Sequence, residues 1–432
     1  MSEINRRDFM RITGAAALTS AAVGFPSLVL GATRKVVVVG GGVGGCTAAK
    51  YLRKFDPSIE VVLIEAEPKY HSCFLSNEYI SGERDMESLT FGYEGLANHG
   101  VTVVTDRVTA IDPDKRIVVT QGGDKFTYDR CIVSPGVDFK WDEIEGYSEA
   151  LTEEIPHAWN GGPQTEILRR QIEAMPQGGV VAIVAPPNPF KCPPGPYERA
   201  SQIAMYCKKH NPRAKIMILD HKDAFTKQDL FIQGWSRLYG YGTDYSMIEW
   251  VSAAAGGAMR ELDAQSRTLT GDFDSVQADV VNIIPAQKAG KVAYASDLAD
   301  GDWCPVNKRT FESKRHPGIY VLGDASDAAT MPKSAYSANS QAKVCVAAVI
   351  SSLNGDPDPD SPSYVNTCYS ILGPDYGISV AGVYRLDEAN NMIVSIEGSG
   401  GVTPLDSLPR YLSREVTYAY SWFDNLIHDM MG

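Results

Sequence analysis

The stretch KVVVVGGGVGGCTAAKYLRKFDPSIEVVLIEAEP (35–68) decides the fold, because it reads as strand, glycine-rich turn, helix and second strand. Gly40, Gly42 and Gly45 fit the pattern GxGxxG, which combines a tight turn, close backbone approach to a pyrophosphate and close helix–strand packing. Glu65 ends the second strand, twenty residues after Gly45, where an acid would bind the adenosine ribose hydroxyls. The stretch therefore predicts an α/β dinucleotide-binding domain.

Two later motifs extend this prediction. TYDRCIVSPG (127–136) reads as a strand that runs into a Pro–Gly turn, and GIYVLGDAS (318–326) reads as a buried strand that ends at Asp324. A long helix is predicted over 333–353, with Tyr336 in its first turn. In this order the motifs resemble the FAD domain of flavoproteins with two dinucleotide-binding domains. The resemblance implies that Asp324 takes a ribityl hydroxyl and that the helix start, near Tyr336, lies beside the flavin. A turn-forming role for Asp324 remains the alternative.

A second βαβ unit is predicted where relatives of this class bind NAD(P)H. Its elements are GGVVAIVAPP (178–187), YERASQIAMYCKKH (197–210) and KIMILD (215–220). The turn APPNPFKCPPGP (185–196) has prolines where a phosphate cradle needs glycines. Proline has no N–H and fixes φ, so we expect the fold to be kept and nicotinamide binding to be lost.

Three cysteine-containing segments carry a closer resemblance. They are YHSCFLSNE (70–78), FKCPPGPYERAS (190–201) and YVNTCYSIL (364–372). With them the chain, from about 34 to 432, resembles the flavoprotein subunit family of flavocytochrome c sulfide dehydrogenase. The resemblance implies that Cys73 is joined by a thioether to the flavin 8α-methyl carbon, and that Cys192 and Cys368 form a redox-active disulfide. The residues alone leave a structural disulfide or unrelated thiols open, since eight cysteines allow many pairings.

The resemblance also implies a reaction. Sulfide would be oxidised at the Cys192–Cys368 disulfide, and the electrons would pass through covalent FAD to a haem. Because the chain has no CxxCH motif, the haem would belong to a separate cytochrome c subunit. Cys368 is favoured as the flavin-side sulfur, although that choice is open. Glu198 is a candidate proton acceptor, with a solvated acid at a helix N-terminus as the alternative.

Other function classes stay in view beside this one. The same fold serves sulfide:quinone and NAD(P)H-linked oxidoreductases, and a non-catalytic FAD-binding redox carrier is a third possibility. The formal net charge of −13 disfavours nucleic acid and anionic membrane surfaces, and suits a basic protein partner. No stretch has the about 20 uninterrupted apolar residues that a membrane span needs.

The N-terminus resembles a twin-arginine export signal. NRRDFMR (5–11) contains the pair Arg6 and Arg7, and a small-residue, mildly apolar run follows over 12–32. We expect cleavage near Ala32 and a periplasmic location. A chance arginine pair in a disordered tail is the alternative.

The predicted organisation follows from these motifs. We expect a signal at 1–32, a discontinuous FAD-binding domain at 33–158 and 285–358, a degenerate Rossmann-like domain at 159–284, and a C-terminal α+β interface domain at 359–432. The last contains an aromatic stripe, which either fills that domain's core or docks the cytochrome. The stripe consists of Tyr418, Tyr420, Trp422 and Phe423.

Overall fold

The structure, a computed structural model, describes residues 34–432. The export signal predicted for 1–32 lies outside the described residues. The strands of the first third are β1 Lys35–Val39, β2 Glu60–Glu65, β3 Tyr70–His71, β4 Thr90–Phe91, β5 Val101–Thr105, β6 Val108–Asp112, β7 Ile117–Thr120, β8 Lys125–Thr127, β9 Arg130–Val133 and β10 Val137–Phe139. Those of the middle are β11 Val180–Ala185, β12 Lys215–Asp220, β13 Ile248–Val251, β14 Met259–Asp263, β15 Thr268–Gly271, β16 Ser275–Gln277, β17 Val280–Ile283 and β18 Gln287–Ala289. The last are β19 Ile319–Val321, β20 Ser363–Gly373, β21 Tyr376–Asp387, β22 Met392–Ser395 and β23 Gly401–Val402.

The α-helices lie between groups of these strands or, for the last one, after β23. They are α1 Val43–Phe55, α2 Ser76–Ser81, α3 Glu94–Asn98, α4 Pro163–Ala174, α5 Gly195–His210, α6 Gln228–Tyr239, α7 Lys291–Ala295, α8 Ala335–Asn354 and α9 Pro409–Met431. No helix among residues 34–432 is both long enough and apolar enough to span a bilayer.

The first sheet is parallel and contains the opening motif. Its strand order is β19-β9-β1-β2-β5. The valines of β1 are buried, as expected for a central parallel strand that is covered on both faces. Helices α1 and α8 pack against each other beside the sheet. The glycine turn after β1 and the turn after β19 therefore meet at the same edge, the carboxyl edge, where such folds bind ligands.

The second sheet is also parallel, with the order β13-β12-β11-β17. Strands β10 and β18 pair antiparallel and form a two-stranded ribbon of their own. Two parallel sheets of Rossmann type, followed by a C-terminal α+β unit, are the fold class that the sequence predicts, and the prediction is confirmed. The residue numbers of the predicted domain boundaries stay a prediction.

The C-terminal part consists of the long hairpin β20–β21, two short strands and α9. Helix α9 lies so close to the hairpin that a Cβ at Gly377 would come within 2.8 Å of the Val416 backbone nitrogen. The aromatic stripe is divided between the two predicted roles: Phe423 is buried, whereas Tyr418 and Tyr420 are 52% and 38% exposed. The stripe is therefore neither wholly core nor wholly surface.

Candidate active site

A deep cavity lies at the carboxyl edge of the first sheet. Including the open solvent at its mouth, it has a volume of about 1850 Å³. Its wall brings together most of the residues that the sequence singles out, namely Gly40, Gly42, Glu65, Cys73, Cys192, Glu198, Asp324 and Cys368. They come from the glycine turn, the end of β2 and the segment after it, the loop before α5, α5 itself, the turn after β19, and β20.

The glycine turn has the geometry of a dinucleotide cradle. Gly40 has a φ of +99°, and a Cβ there would lie 2.3 Å from the Ser134 carbonyl oxygen. A Cβ at Gly45 would lie 1.8 Å from the Gly40 carbonyl oxygen, so Gly45 lets α1 approach the turn but does not line the cavity. Gly42 caps α1 with open space where its side chain would be, and the helix N-terminus faces that space.

Acidic groups stand at two places on the same wall. Glu65 Oε2 accepts a hydrogen bond from the Gly41 N–H, which holds the carboxylate beside the glycine turn. Asp324 Oδ1 is buried and has no hydrogen-bond partner in the described part of the chain. Burial raises the pKa of Asp324, and the unpaired oxygen needs a donor such as a ribityl hydroxyl. The glycine turn, Glu65 as the acid for a ribose, and the unpaired carboxyl of Asp324 together fit FAD.

Tyr336 is not on the cavity wall. The start of α8 reaches the cavity through Ser334, Ala335 and Ala338 instead. The ring of Tyr336 stacks on Trp422, with 6.3 Å between ring centroids, and Trp422 is the residue that lines the cavity. A direct contact between Tyr336 and the flavin therefore stays a prediction, and the aromatic residue of this pair that lines the cavity is Trp422 of α9.

Cys73 faces the cavity from a tight turn before α2. The turn is closed by Ser76, whose Oγ donates to the Cys73 carbonyl oxygen at 2.7 Å. Leu75 follows in the left-handed conformation, with φ 62°, and directs the chain into the helix. The position suits a bond to a flavin, although the thioether itself stays a prediction.

Cys192 and Cys368 meet at the same cavity from two different elements. Cys192 has a φ of +57° and is held by its N–H, which donates to the Lys333 carbonyl oxygen at 2.8 Å. Cys368 lies on β20, with its Sγ 3.6 Å from Asn366 Oδ1. Both are free thiols in the structure. Burial raises the pKa of the Cys192 thiol, and negative charge on Cys368 raises it further, so the two sulfurs are electrostatic neighbours.

Glu198 is a buried acid beside both sulfurs. Its Oε1 accepts from the Ile371 N–H at 2.9 Å, and its Oε2 accepts from Asn77 Nδ2 at 3.3 Å. Burial raises the pKa of Glu198 to about 7, partly offset by the Ile371 hydrogen bond and by Lys227. The solvated-acid alternative is wrong for this position, because the side chain is enclosed. A carboxyl with this pKa can exchange a proton near neutral pH.

Comparison with known proteins agrees with this geometry. Residues 165–285 match the family model "Sulfide dehydrogenase [flavocytochrome c] flavoprotein chain, central", and residues 360–431 match "Flavocytochrome c sulphide dehydrogenase, flavin-binding". Residues 34–159 match the pyridine nucleotide-disulphide oxidoreductase model. The flavoprotein chain of the sulfide dehydrogenase from Chlorobaculum thiosulfatiphilum is 58% identical over 45 residues, which is 10% of this chain and 94% of that sequence. The chain belongs to the flavocytochrome c sulfide dehydrogenase flavoprotein family.

More distant relatives share the fold. A mitochondrial sulfide:quinone oxidoreductase from Dictyostelium discoideum is 25% identical over 334 residues, covering 75% of this chain and 72% of the relative. The crystal structure of the sulfide:quinone oxidoreductase from Aquifex aeolicus superimposes with a TM-score of 0.68 at 19% identity, covering 92% of each chain. Together these findings place the chain among FAD-dependent sulfide-oxidising flavoproteins.

The second sheet has another feature, besides the prolines of the turn at 185–196, that does not match a nicotinamide site. Asp220 ends β12, where an acid could bind a ribose, but its side chain is fully buried. It accepts hydrogen bonds from Tyr197 Oη at 2.6 Å and Trp250 Nε1 at 2.9 Å, and it pairs with Lys222 Nζ at 2.6 Å. The acid is therefore committed to internal partners.

Two buried cations near the sulfurs were missed by sequence reasoning. Arg199 donates to Asn77 and to the backbone carbonyls of His157 and Ala158, so it ties α2 and the segment before α4 to α5. Lys227 precedes α6 and donates to Ser370 Oγ at 2.9 Å. No motif surrounds Lys227, and its place beside β20 follows only from the tertiary fold. For Arg199 the available signal was its position next to Glu198.

Proposed function

We propose that this chain is the flavoprotein subunit of an exported sulfide dehydrogenase. Sulfide is oxidised at a disulfide between Cys192 and Cys368, FAD is attached through Cys73, and a separate cytochrome c subunit receives the electrons in the periplasm. The observation that carries the proposal is the shared cavity: three cysteines and Glu198 line the same wall as the dinucleotide cradle.

The proposed chemistry at the sulfurs is disulfide exchange. HS⁻ attacks one sulfur of the disulfide, a new S–S bond forms, and the Cys192–Cys368 bond breaks. The bond electrons leave with the second cysteine as a thiolate, so sulfide is oxidised to a persulfide while that cysteine is reduced. Bound FAD would supply the acceptor that takes two electrons from the site and releases them one at a time.

Glu198 is proposed to handle the proton. When H₂S enters the cavity, the Glu198 carboxylate accepts a proton and leaves HS⁻ beside the disulfide. Its pKa of about 7 suits this exchange, because a general base works best when its pKa lies near the working pH. Arg199 keeps Asn77, and through it Glu198 Oε2, in place.

The electron acceptor is proposed from three separate observations. The Chlorobaculum relative is named as the flavoprotein chain of a flavocytochrome c, which points to a cytochrome subunit. The chain itself has no CxxCH motif to bind a haem. Its acidic charge suits a basic partner, and the twin-arginine pattern at 5–11 supports export.

A quinone-linked reaction is the second candidate. It is favoured by the relatives from Dictyostelium discoideum and Aquifex aeolicus, which are named sulfide:quinone and sulfide-quinone enzymes and are 25% and 24% identical to this chain. Reduction of a soluble c-type cytochrome and reduction of a water-soluble quinone by the sulfide-treated protein distinguish the two acceptors.

Anaerobic optical titration tests the sulfide reaction. Sulfide should bleach the flavin absorbance of the holoprotein, whereas Cys192→Ser and Cys368→Ser should each abolish bleaching and retain FAD, because either change removes the disulfide. Cys207→Ser is the matched control, since Cys207 is buried on α5 away from the cavity. Bleaching of either cavity variant at the wild-type rate would contradict the disulfide mechanism.

A further inference from the structure

Lys227 is a buried cation that the proposed reaction does not yet use. Its side chain is only 9% exposed. It precedes α6 in the left-handed conformation, with φ 63°, which a lysine rarely adopts. Its hydrogen bond to Ser370 is the only one that its Nζ makes to the described residues. Desolvation of an ammonium is costly, so this placement calls for a compensating negative charge.

The geometry of β20 indicates that a thiolate on Cys368 supplies this negative charge. Ser370 and Cys368 are two positions apart on β20, so their side chains lie on the same face of the strand. The ammonium that Ser370 holds at 2.9 Å is therefore beside the Cys368 sulfur. Lys227 is not part of the cavity wall, so it approaches the sulfur from within the protein and does not compete with substrate for space.

The surrounding charges agree with this arrangement. Burial lowers the pKa of Lys227, and the strongest opposing influence is negative charge on Cys368, ahead of Glu198, Cys192 and Glu415. For Cys368 the relation is reciprocal: burial raises the pKa of its thiol, and Lys227 is the foremost group that lowers it. Glu198 disfavours the thiolate on both Cys368 and Cys192, and the cations on the Cys192 side are Arg199 and Lys191.

We infer that Lys227 is a positioning residue whose ammonium stabilises the thiolate left on Cys368 when sulfide opens the disulfide. The inference rests on the proposed function. In that step HS⁻ bonds to the Cys192 sulfur, the S–S bond breaks, and its electron pair goes to Cys368 beside the ammonium. The persulfide keeps the proton of HS⁻, so no further reactant is needed.

The test is a titration of the Cys368 thiol in the FAD-loaded protein. Cys192→Ser is the background, so that Cys368 stays reduced. Iodoacetamide alkylation of the Cys368 peptide is followed by mass spectrometry from pH 6 to 10. Lys227→Met should raise the apparent pKa of Cys368 by about one unit or more, because an opposite charge at this range shifts a pKa by about 1–3 units. Alkylation below that pKa should slow about tenfold, since one unit of pKa changes the thiolate fraction tenfold.

Two further variants make the result specific. Lys227→Arg should keep the pKa near that of the background protein, because it keeps the charge. Ser370→Ala releases the ammonium without removing it, so it should raise the pKa of Cys368 less than Lys227→Met does. Ser370→Ala also supplies the test if Lys227→Met fails to fold. An unchanged pKa in Lys227→Met, or in Ser370→Ala where that variant is the test, would overturn the inference.

Mass spectrometry also distinguishes a failure of this inference from a failure of the proposed function. In the untreated wild-type protein, a crosslinked peptide that joins Cys192 to Cys368 reports the disulfide. Its absence would overturn the proposed function. Its presence, with an unchanged Cys368 pKa in Lys227→Met, would overturn only the role of Lys227.

Discussion

Cys73 is the residue through which we propose that the flavin is attached. It faces the cavity from a turn that Ser76 closes. A thioether survives denaturation, so flavin should stay with the polypeptide after acid precipitation. Cys73→Ser should make the flavin extractable or lose it. The colour of the washed precipitate measures this, with Cys304→Ser, a buried cysteine outside the cavity wall, as the control. A yellow precipitate from Cys73→Ser would remove Cys73 from the attachment role.

The proposed role of Glu198 as proton acceptor predicts a pH dependence of known sign. A proton acceptor works only when ionised, and burial raises the pKa of Glu198 to about 7. At a fixed concentration of undissociated H₂S, the rate of flavin bleaching should therefore rise with pH through about 7, and Glu198→Gln should be slower above that pH by about 10²-fold or more. Stopped-flow absorbance measures both rates.

The control for this profile is Glu166→Gln, which changes an acid in the first turn of another helix, α4. It should leave the profile unchanged. If Glu198→Gln follows the wild-type profile, the proton acceptor is a different group.

Single residues also show how far the sequence alone reaches. The glycines of the turn, Glu65, Cys73 and Asp324 lie at the ends of predicted strands or in recognisable segments, so their meeting at one edge could be predicted. Lys227 could not, because its contact with Ser370 joins parts of the chain that no local pattern relates. The sequence predicts Tyr336 at the flavin, whereas the neighbouring residue Ala335 is the one that lines the cavity.

The turn between β11 and α5 is where we predict that nicotinamide binding has been lost. Prolines occupy the cradle positions, and Asp220 at the end of the next strand is bound by Tyr197, Trp250 and Lys222. We therefore expect NADH and NADPH at micromolar concentration to leave the flavin spectrum unchanged under anaerobic conditions. Sulfide added afterwards to the same cuvette is the control. Rapid bleaching by either nucleotide would show that the second sheet still binds nicotinamide.

The element that sequence reasoning described least well is α9. Its sequence does not decide whether the aromatic stripe packs in the core of the C-terminal domain or docks the cytochrome. Both roles give the same periodic apolar pattern. In the structure, Phe423 packs inside, Trp422 reaches the cavity wall, and Tyr420 Oη donates to Glu78 Oε1 at 2.8 Å. The packing of the hairpin β20–β21 under the helix, a long-range contact, decides which face is covered.

On the scale of the whole molecule, α9 separates the cavity from an exposed aromatic surface. Trp422 lines the cavity, and Tyr418 on the same helix is 52% exposed. If the cytochrome subunit docks here, Tyr418→Ala should weaken its association by about tenfold or more, since a buried interfacial aromatic often contributes over 1 kcal/mol. Haem reduction should slow at limiting cytochrome, whereas bleaching of the flavin by sulfide should be unaffected.

The matched control for docking is Tyr245→Ala, because Tyr245 is 89% exposed and lies outside α9. It should leave cytochrome association unchanged. Equal association of both variants with the cytochrome, measured by analytical ultracentrifugation, would place the docking surface elsewhere.

The strand order of the first sheet has a consequence for biosynthesis. Strand β19 inserts beside β9, and the cradle begun at Gly40 is completed only by Asp324 and the start of α8. A ribosome releases the chain N-terminus first, so the nascent polypeptide has half a cradle until most of it has been translated. Capture of the cofactor in this cradle must then follow translation of most of the chain. A twin-arginine signal, which delays transport until folding is finished, would give such a chain the time that this topology demands.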